Sequence, residues 1–232
     1  MKRALVFLMA LTLTASLLAQ DKEENQEVSK EVRKVKDFKK LKVAKGINVT
    51  LIKGLKPEAE INIVNAMTED VIIENDKNEL TIKMKTRIYK DVSVQVYLTY
   101  TELREIKTGS GASVDAEDVL SGNQLVLDAG MDSSIELEVD VETLEANVSA
   151  ARITLEGAAN TVEAKATTGG KFEAEKLESQ EAFVTANTGA VATVNVTKKL
   201  EAKAGAGGKI EYSGNPEKVD SREIVNGKVT EL

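Results

Sequence analysis

The alternation of hydrophobic and polar positions divides the chain into stretches with different periods. Residues 4 to 18 form a largely apolar run, ALVFLMALTLTASLL, preceded by Lys2 and Arg3 and followed by Ala19. A basic start, an apolar middle and a small residue at the end read as a secretory signal peptide over residues 1–19. The apolar run is shorter than the roughly 20 residues a helix needs to span a bilayer. Residues 20–37 carry dense charges of both signs and three isolated valines, Val28, Val32 and Val35. Too little apolar surface is present there to order the segment alone, so it reads as a charged linker. The valine spacing also fits one face of an amphipathic helix.

From Phe38 the period is two. Leu41 and Val43, then Ile47, Val49 and Leu51, then Ile61 and Ile63, then Leu80, Ile82 and Met84 alternate with polar residues. Val92, Val94, Val96, Leu98 and Tyr100 form the longest such run. Strands with one buried face give this alternation. Residues 38–100 are therefore an N-terminal β-strand region.

Beyond residue 100 the chain repeats. Leu125-Val-Leu-Asp-Ala, Leu144-Glu-Ala-Asn-Val, Val162-Glu-Ala-Lys-Ala, Phe183-Val-Thr-Ala-Asn and Leu200-Glu-Ala-Lys-Ala align, at intervals of 19, 18, 21 and 17 residues. Alternation assigns Leu125, Leu144, Val162, Phe183 and Leu200 to one inward column. A second strand in each copy contributes Ile135 and Leu137, Ile153 and Leu155, Phe172 and Ala174, Val194 and Val196, Ile210 and Tyr212. Small residues and glycines lie between, as at Thr167-Thr-Gly-Gly170 and Gly205-Ala-Gly-Gly208. A short repeat of this kind, with tight corners, predicts coils that stack on one another. The expected fold is all-β: a β-solenoid, right-handed and parallel β-helix-like, over residues 101–215, with the N-terminal β-rich region before it. Residues 216–232, with Asn226-Gly227 between short apolar strands, predict a closing hairpin or cap.

The motif Phe38-x-x-Leu-x-Val-x-x-Gly46-Ile47-Asn48-Val49-x-Leu51, the later Leu80-Thr-Ile82 and the Thr-Gly-Ser-Gly stretch at 108–111 resemble the head GIN domain family. That family comprises adhesin-type exported proteins, mostly of Bacteroidetes-type bacteria. The resemblance covers nearly all of residues 38–215. It implies β-helix-like coils in an exported or surface-associated protein and brings no catalytic set with it. The chain shows no translocator domain of the kind an auto-transporter carries.

Composition narrows the chemistry. The 232 residues include no His, no Cys and no Trp. Serine triads, cysteine nucleophiles, histidine bases, disulfides and thiolate or imidazole zinc sites are thereby excluded. Net charge is −7, and loss of Lys2 and Arg3 with a signal peptide makes it −9. An acidic chain without a long basic stretch is a poor partner for nucleic acid or an anionic membrane surface.

Two acidic groups are candidate binding residues. Glu136, Glu138, Glu173 and Glu175, with Glu156 and Glu211, occupy outward positions of the second strand. Stacked carboxylates there could hold Ca²⁺ or a basic partner, and the competing reading is a solvated face. Asp115 and Asp118, with Asp128 and Asp132 one coil on, could serve polysaccharide hydrolysis as paired carboxylates, or could be ordinary turn residues. No cofactor is expected, and whether a metal binds is left open. The sequence thus favours an exported, periplasmic or cell-surface, non-catalytic solenoid that binds a polysaccharide or an envelope protein, with oligomers allowed. A carboxylate-dependent hydrolase or lyase and a structural envelope protein are the alternatives.

Overall fold

A computed structural model describes residues 28–232, so the signal-peptide reading of residues 1–19 lies outside the described residues. The strands in chain order are β1 (Val28–Lys34), β2 (Lys40–Ala44), β3 (Ile47–Lys53), β4 (Glu58–Val64), β5 (Val71–Asp76), β6 (Glu79–Met84), β7 (Ser93–Tyr100), β8 (Glu105–Gly109) and β9 (Ser113–Ala116). They continue with β10 (Leu120–Gly130), β11 (Ser134–Ser149), β12 (Arg152–Thr167), β13 (Lys171–Asn187), β14 (Val191–Gly205), β15 (Lys209–Ser213), β16 (Lys218–Ile224) and β17 (Lys228–Glu231). One 3₁₀ turn, Thr68–Asp70, precedes β5. The all-β solenoid expected from the repeats is the fold observed.

Two faces enclose the core. On the first, β6, β2, β8, the second half of β10 and the second halves of β11 to β14 pair in parallel, ending at β16. On the second, β7, β3, β9, the first halves of β11 to β14, β15 and β17 do the same. Parallel neighbours stand roughly 4.8 Å apart. Each long strand spans both faces by bending midway. In β11, Ile135, Leu137, Val139 and Val141 point inward, and after the bend the inward set is Leu144, Ala146 and Val148. The change of parity between 141 and 144 marks the corner.

Spatial order departs from chain order near the N-terminus. The coil β2–β3 lies between the coil made by β6 and β7 and the coil made by β8 and β9. From β2 the chain therefore runs from inside the stack outward through β4 and β5, returns, and steps over the β2–β3 coil. The strands of residues 38–100 are part of the same stack.

The outer end of the stack is antiparallel: β5 on β6, β4 on β7 and β1 on β4. Residues 28–34 are thus a strand, neither the linker nor the helix that their composition suggests. Val28 and Val32 remain exposed. What holds β1 is a full antiparallel ladder together with Arg33, which donates to the carbonyls of Val71 (2.7 Å) and Thr68 (2.8 Å) and to both oxygens of Glu31. The Arg33 hydrogen bonds, with help from Thr68, hold the Glu31 carboxyl down at about 2, against an ordinary value of 4.5. A carboxyl depressed on folding stabilises the folded state above its ordinary value, and that contribution disappears as pH falls toward the folded value. Amide exchange protection of β1 should therefore fall, relative to β11–β13, between pH 4.5 and about 2. In Glu31→Gln that loss is absent, because nothing there titrates.

Apart from the β6–β7 coil, whose strands are joined by residues 85–92, each coil reverses between the first and second faces through a two-residue turn with both central residues at positive φ: Lys45-Gly46, Ser110-Gly111, Met131-Asp132, Thr168-Gly169, Thr188-Gly189, Ala206-Gly207 and Val225-Asn226. This is the type I′ pattern. The turns also bond to each other, the second residue's N–H donating to the first residue's carbonyl one coil on. Gly111 to Met131, Gly169 to Thr188 and Gly207 to Val225 are each 3.0 Å. That ladder holds Thr168, Thr188 and Val225 in a region β-branched residues avoid. The turn at Ala150 is the exception: Ala150 alone has positive φ, and its N–H reaches Thr167 at 3.4 Å.

Two sequence assignments change. In the fourth copy Ala182, Val184 and Ala186 are buried and Phe183 faces outward, one residue from the expected register. Ala-x-Val-x-Ala fits the narrow column of Val162 and Leu200, and Lys199 Nζ sits 5.2 Å from the centre of the displaced Phe183 ring. The extra residues of this coil are absorbed by register shifts between Ala174 and Glu178 and between Ser179 and Glu181. Second, β16 and β17 do not form a hairpin. Each stacks in parallel on the preceding coil, β16 on β14 and β17 on β15.

Candidate functional site

The outward side chains form rows that cross the coils, because strands in register place equivalent positions above one another. On the second face one row reads Glu136, Thr154, Glu173, Thr193, Glu211. Its neighbour reads Glu138, Glu156, Lys176. The expected stack of like charges is thus interleaved: threonines separate the glutamates of the first row, and Lys176 Nζ meets Glu156 at 2.5 Å in the second. Thr154 donates to Glu173 at 3.3 Å, and Arg152 pairs with the other oxygen of Glu173. Arg152 opens β12 and acts as this face's counter-charge, a role that the turn-like residues before it conceal.

The bulge in β13 pushes Glu175 and Lys176 out beside these rows. A hollow of about 330 Å³ forms there, lined by Thr154, Glu156, Glu173, Glu175, Lys176 and Thr193. Bulges commonly re-aim side chains at functional surfaces. The Glu156 carboxylate raises the Lys176 ammonium above its ordinary value, with Glu175 and Glu136 adding to the effect. Of the predicted glutamates, Glu173 and Glu175 share this hollow. Glu136 and Glu138 lie together on β11, two coils from Glu173 on the same face.

The four aspartates are not brought together. Asp115 is on β9, opposite Thr50 on the second face, while Asp128 is on β10, opposite Lys107 on the first. Asp118 accepts from the backbone N–H of Lys53 at 3.3 Å, tying the loop after β9 to β3. Asp132 occupies a turn at φ 59°. Thirteen residues separate Asp115 from Asp128, enough to carry the chain to the other face, so adjacency in coil number did not mean adjacency in space. Asp115 and Asp128 therefore do not form a pair across the two coils. Among the described residues no three acidic side chains are placed to hold a metal ion.

Asn48 of the Gly-Ile-Asn motif accepts from Ser113 at 2.7 Å, and neighbouring Thr50 accepts from Gln95 at 2.9 Å. Gly46 supplies a positive-φ turn residue. The motif thus builds the junction at which the returning chain steps over its first coil. Among the described residues, no helix is long and apolar enough to cross a membrane.

The comparisons agree with this architecture. No curated protein matches the sequence. Among solved structures, a "putative adhesin" from Bacteroides fragilis superposes with TM-score 0.81 at 18% identity, covering 89% of this chain and 97% of its own. A "putative adhesin" from Parabacteroides merdae gives TM-score 0.71 at 22% identity, covering 90% and 97%. A "putative lipid binding protein" from Parabacteroides distasonis gives 0.71 at 14%, covering 90% and 98%. At these identities the likeness establishes the fold. A family model described as "Putative auto-transporter adhesin, head GIN domain" matches residues 37–216, and the chain belongs to that family.

Proposed function

We propose that this protein is a non-catalytic binding protein exported to the bacterial envelope, which holds an extended glycan or protein against the outside of its solenoid. The observation that carries the reading is the register of the outward rows. Glu136, Thr154, Glu173, Thr193 and Glu211 repeat one position on five successive coils. A ligand with its own repeat can then make the same weak contact several times over, and linked contacts strengthen one another. The family's adhesin description supports a binding role, and the basic-then-apolar start of the chain supports export. Against the hydrolase alternative, Asp115 and Asp128 lie on different faces and cannot act together.

The test is affinity electrophoresis of residues 20–232 in native gels containing envelope, mucin or plant polysaccharides, with and without Ca²⁺. Retardation by at least one polymer, in proportion to its concentration, is the expected result. Unchanged mobility with every polymer would remove the glycan reading and leave a protein ligand to be sought.

A further inference from the structure

The corner where each coil passes from the second face to the first carries a row of five exposed polar side chains: Asn123, Glu142, Asn160, Gln180 and Lys198. The row is hydrogen-bonded from coil to coil. Asn160 donates to Glu142, Gln180 donates to Asn160 Oδ1 at 2.9 Å, and Lys198 donates to Gln180 Oε1 at 2.6 Å. Beside it runs a second exposed row, Ser121, Asp140, Ala158 and Glu178. The two rows border a groove of about 580 Å³.

Three features of the groove point to one class of ligand. Ala158 leaves a notch between Asp140 and Glu178, which stand two coils apart, or roughly 9.6 Å at ordinary strand spacing. The ladder leaves one N–H each of Asn160 and Gln180 and one Glu142 oxygen unused, so the groove offers donors and an acceptor side by side. Finally, Asp140, Glu142 and Glu178 give the groove a negative field that disfavours uronates and sulfates. A cationic peptide would meet the carboxylates with its ammonium groups and the carboxamide N–H groups with its backbone carbonyls, two different groups that must fall in step with the coils. A neutral chain of hydroxyls, each both donor and acceptor, satisfies all of them.

We propose that this corner groove binds a neutral, hydroxyl-rich polysaccharide running across the coils. The proposal rests on the glycan-binding reading above and gives it a place and a ligand class. The experiment compares the parent protein with Ala158→Arg, which fills the notch from an exposed position, Asn160→Ala, which breaks the ladder, Glu173→Gln in the second-face row, and Glu163→Gln, an exposed position of the first face that belongs to neither. Each is run in gels of neutral dextran, galactomannan or xyloglucan and of anionic polygalacturonate, and binding of oligolysine is measured separately. Urea unfolding confirms that each variant is folded.

The expected result is retardation of the parent by a neutral polymer, weakened about tenfold or more in Ala158→Arg, equivalent to about 1.4 kcal/mol, weakened also in Asn160→Ala, and unchanged in Glu163→Gln. Retardation that survives Ala158→Arg and Asn160→Ala but falls in Glu173→Gln overturns the groove and keeps the glycan reading on the broad face. Retardation by polygalacturonate alone, or binding of oligolysine alone, overturns the neutral ligand. If no polymer retards the parent, the groove and the glycan reading fall together.

Discussion

Gly157→Ala will lower the stability of the folded protein by about 3 kcal/mol or more, and Gly122→Ala will leave it within about 0.5 kcal/mol of the parent. Both glycines lie near the corner, so composition and exposure alone do not separate them. Gly157 has φ 104°, and a Cβ built there would stand 2.2 Å from the carbonyl oxygen of Val139 and 3.2 Å from its backbone nitrogen. The obstacle is backbone, which cannot swing aside as a flexible side chain can. Gly157 occupies an inward position between Val139 and Leu177, both buried, so displacing its strand disturbs three coils together. At Gly122 nothing lies within 4 Å of the added atom. Urea unfolding followed by far-UV circular dichroism separates the two: a parent-like midpoint for Gly157→Ala would show that the corner can relax without cost. Because each coil contacts its neighbours alone, the damage should show as loss of cooperativity as well as a lower midpoint.

The repeats were legible because the inward positions obey a period of two along each side of a coil and a period near 19 between coils. Ile135, Ile153 and Phe172 fell in one column without help from the structure. Phe183 misled because Ala-Phe-Val-Thr-Ala-Asn alternates plausibly in both registers, and the larger side chain draws the eye inward. The correct inward series, Leu125, Leu144, Val162, Ala182 and Leu200, has intervals of 19, 18, 20 and 18. The corner ladder lies two residues before each member of that series, at 123, 142, 160, 180 and 198. A one-residue slip in one copy would have put Glu181 in the row and hidden it. The order of the first three coils was not legible, since β2–β3 and β6–β7 share no repeat and their stacking depends on contacts far apart in the chain. Strand β1 was missed because it is held by backbone pairing and the Arg33 bonds, which leave no apolar signature. That Asp115 and Asp128 serve different faces was hidden for a different reason, because period alone does not say which face a residue serves.

Converting the inward carboxylates of the last coil to apolar residues will make the protein self-associate. In β16 and β17 the inward positions are Val219, Ser221, Glu223, Val229 and Glu231, stacked on Leu200, Ala202, Ala204, Ile210 and Tyr212. The coil thus carries charge where the coil before it is apolar. Glu223 accepts from the backbone N–H of Val229 at 2.7 Å, linking β16 to β17 across this end. Every residue of β16 is exposed, and Val219 and Ile224 are 40% and 45% accessible. Such an edge is a template for pairing with another chain. Stacking on it would take Glu223 and Glu231 out of water without cationic partners, at an effective cost of several kcal/mol per ion. Inward-pointing charge therefore keeps the edge unpaired. Glu223→Ala combined with Glu231→Val removes that cost and leaves the unpaired backbone edge, so the weight-average mass in sedimentation equilibrium should rise steeply with concentration. Asp220→Ser, on the outward side of the same strand, should sediment as the parent does. If the double variant also matches the parent at every concentration, the carboxylates are not what guards this edge, and the protection lies in the outward charges Lys218, Asp220 and Arg222 instead.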